Sequence, residues 1–304
     1  MKTIIMLDGG AGRILSAAPA LIKYGFLNPE KEWYVCVNWW DSLLWAIPEL
    51  QGRVLNPEHP NVFEDYFWDS DEVISPEPYK LPEYYRHEVS MSEAFDIILN
   101  GKDDTPLPNV SMEISTQELV RGYDIILHAK ETQGKEKTIV IQPYGSTAFM
   151  SSLGVVDFTC RSIPEIMYKK YVEELKENYN IIYMGVDDLH DEESYIPQPN
   201  LNLREWASVI ALCDYFIGCD SVGQHIAKSF DKKASVVIAG THENNVSYPN
   251  EFHIIKRDIE LYANPMRISQ NQSDLSSRIN EQRLKFTTAE IISSLEDIIA
   301  NINS

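Results

Sequence analysis

The strongest constraint on the fold is a regular strand–helix alternation running from Thr138 to Ala239. Thr138–Gln142, Asn180–Val186, Asp214–Cys219 and Ala234–Ala239 are short apolar runs of strand length. Between them lie stretches with helical spacing: one from Ser162-Ile163-Pro164-Glu165 to about Asn178, then Arg204–Cys213 and Val222–Phe230. Strands that alternate with helices form a parallel sheet, because each crossover must carry the chain back to the starting edge. Ligands of open parallel sheets bind beyond the carboxyl ends of the strands. The loops to inspect are therefore residues 8–13, 143–147, 185–188, 218–225 and 240–245.

The first half repeats the pattern less regularly. Thr3–Leu7 reads as a strand, Ile14–Tyr24 as a helix, Trp33–Val37 as a strand and Asp41–Ile47 as a short aromatic helix. Glu72–Ile74 and Asp124–Ala129 read as further strands, and the stretch from Asn56 to Pro108 as irregular and helical excursions. Ser115-Thr116-Gln117-Glu118 and Thr287-Thr288-Ala289-Glu290 carry the capping-box pattern that opens helices, as does Ser162-Ile163-Pro164-Glu165. The polar run Glu131–Lys137 is the expected linker. The expected domains are residues 1–135 and 136–304, with the last helix packing back on the first domain.

A chain of 304 residues suits two domains. The formal charge of −20 disfavours nonspecific binding to nucleic acid or anionic membrane. Cys36, Cys160, Cys213 and Cys219 match no metal-knuckle spacing and read as structural. No apolar run approaches the roughly 20 residues of a membrane span, and the amino terminus reads as a first strand, so the cytoplasm is expected (the host cytoplasm for a phage-encoded chain).

Two motifs carry chemistry. Asp8-Gly9-Gly10-Ala11-Gly12-Arg13 joins a strand to a helix, where Gly10 and Gly12 let backbone approach a ligand and leave N–H groups for anions. Leu15 stands where a dinucleotide fingerprint needs its third glycine, which disfavours an NAD-dependent dehydrogenase. A tight turn without a ligand is the other reading, and Arg13 either holds a phosphate or solvates the helix start. The second motif, Asp220-Ser221-Val222-Gly223-Gln224-His225, places a carboxylate, a hydroxyl, a glycine and an imidazole at one strand-to-helix junction. Ser221 or Asp220 can cap that helix, whose amino end suits a diphosphate. A simply packed histidine is the alternative for His225.

Gly12-Arg13-Ile14-Leu15 through Leu21, Gln142-Pro143-Tyr144-Gly145-Ser146 with Arg161-Ser162-Ile163-Pro164, and the run from Leu203-Arg204-Glu205 to Gly240-Thr241 together resemble the family 9, heptosyltransferase-like glycosyltransferases. The resemblance implies an α/β GT-B fold, two Rossmann-like domains whose parallel sheets face a central cleft. It implies a nucleoside-diphosphate sugar as donor, a UDP- or ADP-sugar, with no metal or other cofactor required. By residue match, Asp220, Ser221, Gly223 and His225 would line the diphosphate and Ser146 would touch a phosphate. Gly185, Asp187 and Asp188 would lie at the nucleoside, with Thr241, His242 and Glu243 closing the same end. Where the family carries its base, an Asp, this chain has Arg13. Asp8 is the first substitute, and Asp41 or the His87-Glu88 pair weaker ones. Arg161 takes the part of the family's lysine.

The expected activity is inverting transfer of a sugar to an acceptor hydroxyl. The acceptor is a saccharide such as lipopolysaccharide core or, in a bacteriophage-type member, a hydroxymethylated DNA base. A sugar-nucleotide-binding protein without catalysis is the rival reading, motivated by the missing Asp. Oligomeric state stays open.

Overall fold

In the computed structural model the structure describes residues 1–56, 58–152, 154–157, 159–185, 189, 193–197, 201–257 and 284–304. The chain forms two compact units, Met1–Glu113 and Ile114–Ser304.

The first unit is built on a parallel three-stranded sheet in the order β2-β1-β3, with β1 at Lys2–Leu7, β2 at Glu32–Val37 and β3 at Glu72–Ile74. Helix α1, Ala11–Leu27, connects the first two strands. Its buried face, which includes Ile14, Leu15, Ala18, Leu21 and Ile22, follows the helical period. The short helices α2 (Asp41–Trp45) and α3 (Pro82–Tyr85) follow, and then α4 at Met91–Asn100. Helix α4 packs along α1 and opens with a capping box between Ser90 and Glu93. The stretch read as irregular and helical excursions holds the expected strand β3 and, among its helices, the ten-residue α4. Trp33 of β2 is buried, its ring edge-on against Tyr24.

The second unit contains a five-stranded sheet that is parallel throughout. Its strands are β4 (Thr138–Gln142), β7 (Asn180–Tyr183), β8 (Tyr215–Cys219), β9 (Ala234–Val237) and β10 (His253–Ile255), in the order β10-β9-β8-β4-β7. A small antiparallel hairpin, β5 (Phe149–Ser151) with β6 (Gly154–Val156), precedes helix α6 at Glu165–Leu175. Helices α7 (Leu203–Leu212) and α8 (Val222–Ser229) follow in turn, then the short α9 (Glu243–Val246) and finally α10 (Thr288–Asn303). Capping boxes open α7 through Asn202 and Glu205, and α10 through Thr287 and Glu290. Ile291, Leu295, Ile298 and Ile302 of α10 join the core of this unit beside Tyr171, whose hydroxyl lies 2.6 Å from that of Ser294.

Three sequence expectations are corrected. The residues Asp124–Ala129 are no strand. They lie inside α5, Thr116–Gln133, which starts at the expected Ser115–Glu118 capping box and ends at Gly134 in a left-handed conformation. A short apolar run such as Ile125-Ile126-Leu127 does not distinguish strand from helix; here Gly122, Ile125, Ile126 and Ala129 supply one buried helical face. The helix also runs into the expected linker, and the units divide at Glu113/Ile114 and not at 135/136. Helix α5 belongs with the second unit because Gly122 lets it approach Ser208 closely. Arg204 on α7 also grips Glu118 with two hydrogen bonds, at 2.8 and 2.7 Å. Lastly, Ser162 caps no helix. Pro164 precedes α6 without a side-chain cap, while the Ser162 hydroxyl and the Glu165 carboxylate are used elsewhere.

Candidate functional site

Chain order across the second sheet reverses between β4 and β8. The chain first moves outward to β7, then returns to the other side of β4. Loops leaving two adjacent strands in opposite directions open a crevice at their carboxyl ends. Gln142 ends β4, and Asp220 and Ser221 follow β8. The motif singled out in the sequence therefore lies at the switch point.

Gln142 organises this junction. Its Oε1 accepts from the Gly223 N–H at 2.9 Å, and its Nε2 donates to the Ser221 hydroxyl at 3.1 Å. Helix α8 is thus capped from the neighbouring strand, and neither Ser221 nor Asp220 caps it. Gly223 is required by this contact, since a Cβ there would lie 2.4 Å from Gln142 Oε1 and 2.5 Å from Phe216 Cζ. Its N–H is engaged in this cap.

Asp220 is buried and receives hydrogen bonds from the Thr241 hydroxyl at 2.9 Å and from Gln224 at 3.5 Å. Burial raises its pKa, opposed by the charge of Arg161 and the bond from Thr241. Gln224 is fixed in turn by the Ser247 hydroxyl at 2.6 Å. Arg161 comes from the loop opposite, its Nε donating to the Thr159 hydroxyl at 3.1 Å. That loop is assembled on Asp157, which accepts from Ser162, Thr159 and Thr147, while the Ser162 hydroxyl accepts from the Gly145 N–H at 3.1 Å. Burial alone would raise the Asp157 pKa; the bonds from Ser162 and Thr159 outweigh it and hold the group below the ordinary value. Ser146, at the tip of the same turn, is exposed, and its hydroxyl has no partner among the described residues.

His225 is buried in the first turns of α8, with Nδ1 2.8 Å from the Tyr248 hydroxyl. Burial pushes its pKa down from 6.5 to about 4, so the ring is neutral near pH 7. A depressed histidine pKa has a definite sign in stability. Between about pH 6.5 and 4 the unfolded chain takes up a proton that the folded chain refuses, so the folded state loses ground as pH falls. The shift corresponds to about 3 kcal/mol lost across that window. Denaturation midpoints compared at pH 7 and 4.5 should therefore fall less for His225→Gln than for the unchanged chain. Equal falls would contradict the assignment.

Those of the remaining expected donor residues that the structure describes follow β7 and β9. Gly185 is exposed beyond β7, over the ring of Tyr183, where a Cβ would meet the hydroxyl at 2.5 Å. Asp187 and Asp188 lie outside the described residues. Thr241 bonds Asp220 directly, whereas Glu243 is buried and paired with Lys256. His242 opens α9 by accepting from the Asn244 N–H. Among the described residues no group of three His, Cys, Asp or Glu could hold a metal ion, and no helix is long and apolar enough to cross a membrane. Burial raises the thiol of Cys213 to about 12 and that of Cys219 further, as befits unreactive structural cysteines.

In the first unit, Asp8 follows β1 and Arg13 lies in the first turn of α1. Arg13 is held between Asp8 at 3.4 Å and Glu77 at 3.2 Å, with its guanidinium over the rings of Tyr79 and Phe95. Its side chain is largely buried, at 11% exposure, beside the Asp8 carboxylate. The glycine this turn cannot replace is Gly9, with φ +105° and Arg13 Cδ only 2.8 Å from where a Cβ would sit. Gly10 is the residue before α1, and the Gly12 carbonyl accepts from Ser16. Of the weaker candidates, Asp41 opens α2, and Glu88 is tied to Arg86 at 2.6 and 3.0 Å. The loop after β2 carries Trp39 and Trp40, both exposed, with Trp40 at φ 71°. For a bulky residue that conformation costs roughly 1–3 kcal/mol.

Sequence reasoning missed Gln142, Asp157 and Tyr248 as organisers of the site. Gln142 stood in a quoted motif, but its partners are 79 and 81 residues away.

In sequence the chain matches no protein-family model and no curated protein. In structure it is similar to bacterial glycosyltransferases. The iron-containing dodecameric glycosyltransferase TibC from enterotoxigenic E. coli H10407 aligns with a TM-score of 0.66 at 12% identity, over 100% of this chain and 77% of that one. A family 9 glycosyltransferase from Veillonella parvula aligns at 0.60 and 10% identity, over 99% and 96%. The E. coli ADP-heptose lipopolysaccharide heptosyltransferase II aligns at 0.58 and 13%, over 100% and 99%. The fold is α/β GT-B, as the resemblance implied; at these identities the likeness is one of fold.

Proposed function

We propose that the chain transfers a sugar from a nucleoside-diphosphate sugar to an acceptor hydroxyl. The observation that carries this reading is the switch-point cluster of the second unit. There Asp220 interacts electrostatically with the Arg161 guanidinium, while Ser146 follows β4 and neutral His225 follows β8, on the edge where such sheets usually bind anions. Among the similar structures, TibC is known in complex with ADP-D-β-D-heptose and the E. coli heptosyltransferase WaaC with ADP. These favour an ADP-sugar over a UDP-sugar as donor.

In this reading Arg161, Ser146 and the Nε2 of His225 hold the diphosphate as it leaves. The acceptor oxygen forms a bond to the anomeric carbon while the carbon–oxygen bond to the diphosphate breaks, which inverts the carbon. Asp8 receives the acceptor proton. Asp220 positions the group by holding Thr241, Gln224 and the charge of Arg161. The chain's net charge favours a saccharide acceptor over a DNA base.

Asp220→Ala removes that anchor. We expect ADP affinity, measured by titration calorimetry, to fall about tenfold or more, equivalent to about 1.4 kcal/mol. The stabilisation of the chain by saturating ADP in a thermal-shift panel of nucleoside diphosphates should shrink accordingly. Unchanged ADP affinity would sink the donor site. Tight ADP-sugar binding without turnover would instead mark a sugar-nucleotide-binding protein.

A further inference from the structure

The carboxyl edge of the first sheet presents an aromatic surface that the donor site does not use. Leu7 pairs with Val37, so Asp8 and the segment Asn38-Trp39-Trp40 leave the sheet side by side. Trp39 is 72% exposed and Trp40 42%. Neither indole makes a ring contact or a hydrogen bond through its side chain among the described residues. Trp45 differs, since its Nε1–H is bound to the Val54 carbonyl. Water gains nothing from two exposed indoles, and the left-handed backbone at Trp40 is a conformation that bulky residues rarely adopt. Acids flank the pair: Asp41 follows directly in the chain, and Asp8 follows the neighbouring strand.

We propose that Trp39 and Trp40 form the acceptor platform, stacking on an uncharged saccharide ring whose hydroxyls donate to the Asp8 and Asp41 carboxylates. The proposal rests on the glycosyl-transfer reading and names its acceptor class. An indole face is flat, apolar and electron-rich, and suits the C–H face of a sugar ring. Tryptophan also loses little conformational freedom on binding, because it has two side-chain torsions. The carboxylates accept hydroxyl protons, but they repel phosphate, and the charge of −20 repels polyanions generally. A neutral, hydroxyl-rich ligand is the one that both the rings and the acids favour.

The test is ligand-observed NMR on the full chain with ADP present. The probes are methyl glucoside, methyl mannoside, maltose, lactose, their phosphorylated counterparts and an oligonucleotide containing hydroxymethylcytosine. We expect an uncharged saccharide to bind. Trp39→Ala and Trp40→Ala should each weaken that binding about tenfold, Trp39→Phe should retain most of it, and the ADP thermal shift should not change. Trp39→Ala is the safer variant, as Trp39 is the more exposed of the two. Equal saccharide binding in the alanine variants overturns the proposal. So does binding of only the phosphorylated sugars or the oligonucleotide, or of no probe while ADP binds. A wild-type dimer that Trp39→Ala converts to monomer, seen by sedimentation, overturns it too, since a second copy then covers the rings. Saccharide binding at the tryptophans without ADP binding would keep the platform and remove the donor reading.

Discussion

Lys23→Met should destabilise the first unit by about 3–5 kcal/mol, the usual result of stranding one member of a buried ion pair. Lys23 lies in the middle of α1, and its side chain is only 3% exposed. The ammonium donates to Asp96 Oδ2 at 2.9 Å, to the Thr105 carbonyl at 2.7 Å and to the Asp103 carbonyl at 3.3 Å. Asp96 also accepts from Asn100, which reaches back to the Ala20 carbonyl. The pair therefore ties α1, α4 and the chain after α4 together. Methionine fills the volume of the lysine stem but leaves the Asp96 carboxylate without its cation. The double variant Lys23→Met/Asp96→Leu should recover most of the loss, because replacing both charges removes the desolvation cost as well. Chemical denaturation followed by tryptophan fluorescence checks this, since Trp33, Trp39, Trp40, Trp45 and Trp68 all lie in this unit. A single variant within about 1 kcal/mol of the original chain would show that the pair is no keystone.

The same pair has a pH signature. Burial lowers the Lys23 pKa, but the hydrogen bonds and charges of Asp96 and Asp103 more than offset it, and the folded value lies above the ordinary 10.5. Its stabilisation is complete below the unfolded value and is lost only as the pH rises through the folded one. Alkaline unfolding should therefore begin at lower pH when Asp96 is removed.

What was legible in the sequence depended on how far apart the partners are. Strands β4, β8 and β9 announce themselves as apolar runs, and their carboxyl ends place Ser146, Asp220 and Thr241 on one sheet edge without knowledge of any contact. The capping boxes at Ser115 and Thr287 are local, so pattern and structure agree. The box at Ser162 has the same pattern, but tertiary partners claim both members: Asp157 and Gly145 take the serine, and Val155 takes Glu165. Helix α5 was misread at Asp124–Ala129 because its buried face is set by Gly122 against Ser208, a partner on another helix. Arg13 illustrates the same limit at the site. Its packing depends on Pro76, Glu77, Tyr79 and Phe95, which lie more than 60 residues downstream.

That packing decides where the catalytic base should be sought. With Arg13 confined, Asp8 is the carboxylate at the end of the central strand of its sheet, partly exposed and held by an adjacent cation. Asp8→Asn preserves size and hydrogen-bonding reach but cannot accept a proton at neutral pH. General-base catalysis contributes on the order of 10²- to 10⁴-fold, so sugar transfer should fall by that factor, with ADP affinity and folding intact. Folding should survive because Arg13 keeps Glu77 and the two rings. The measurement is the rate of nucleoside-diphosphate release with a saccharide acceptor, alongside calorimetric titration with ADP. A loss confined to the rate places Asp8 at the acceptor proton. Transfer at the original rate would exclude Asp8 and shift attention to Asp41, which opens α2 directly after the exposed tryptophans and shares their end of the sheet.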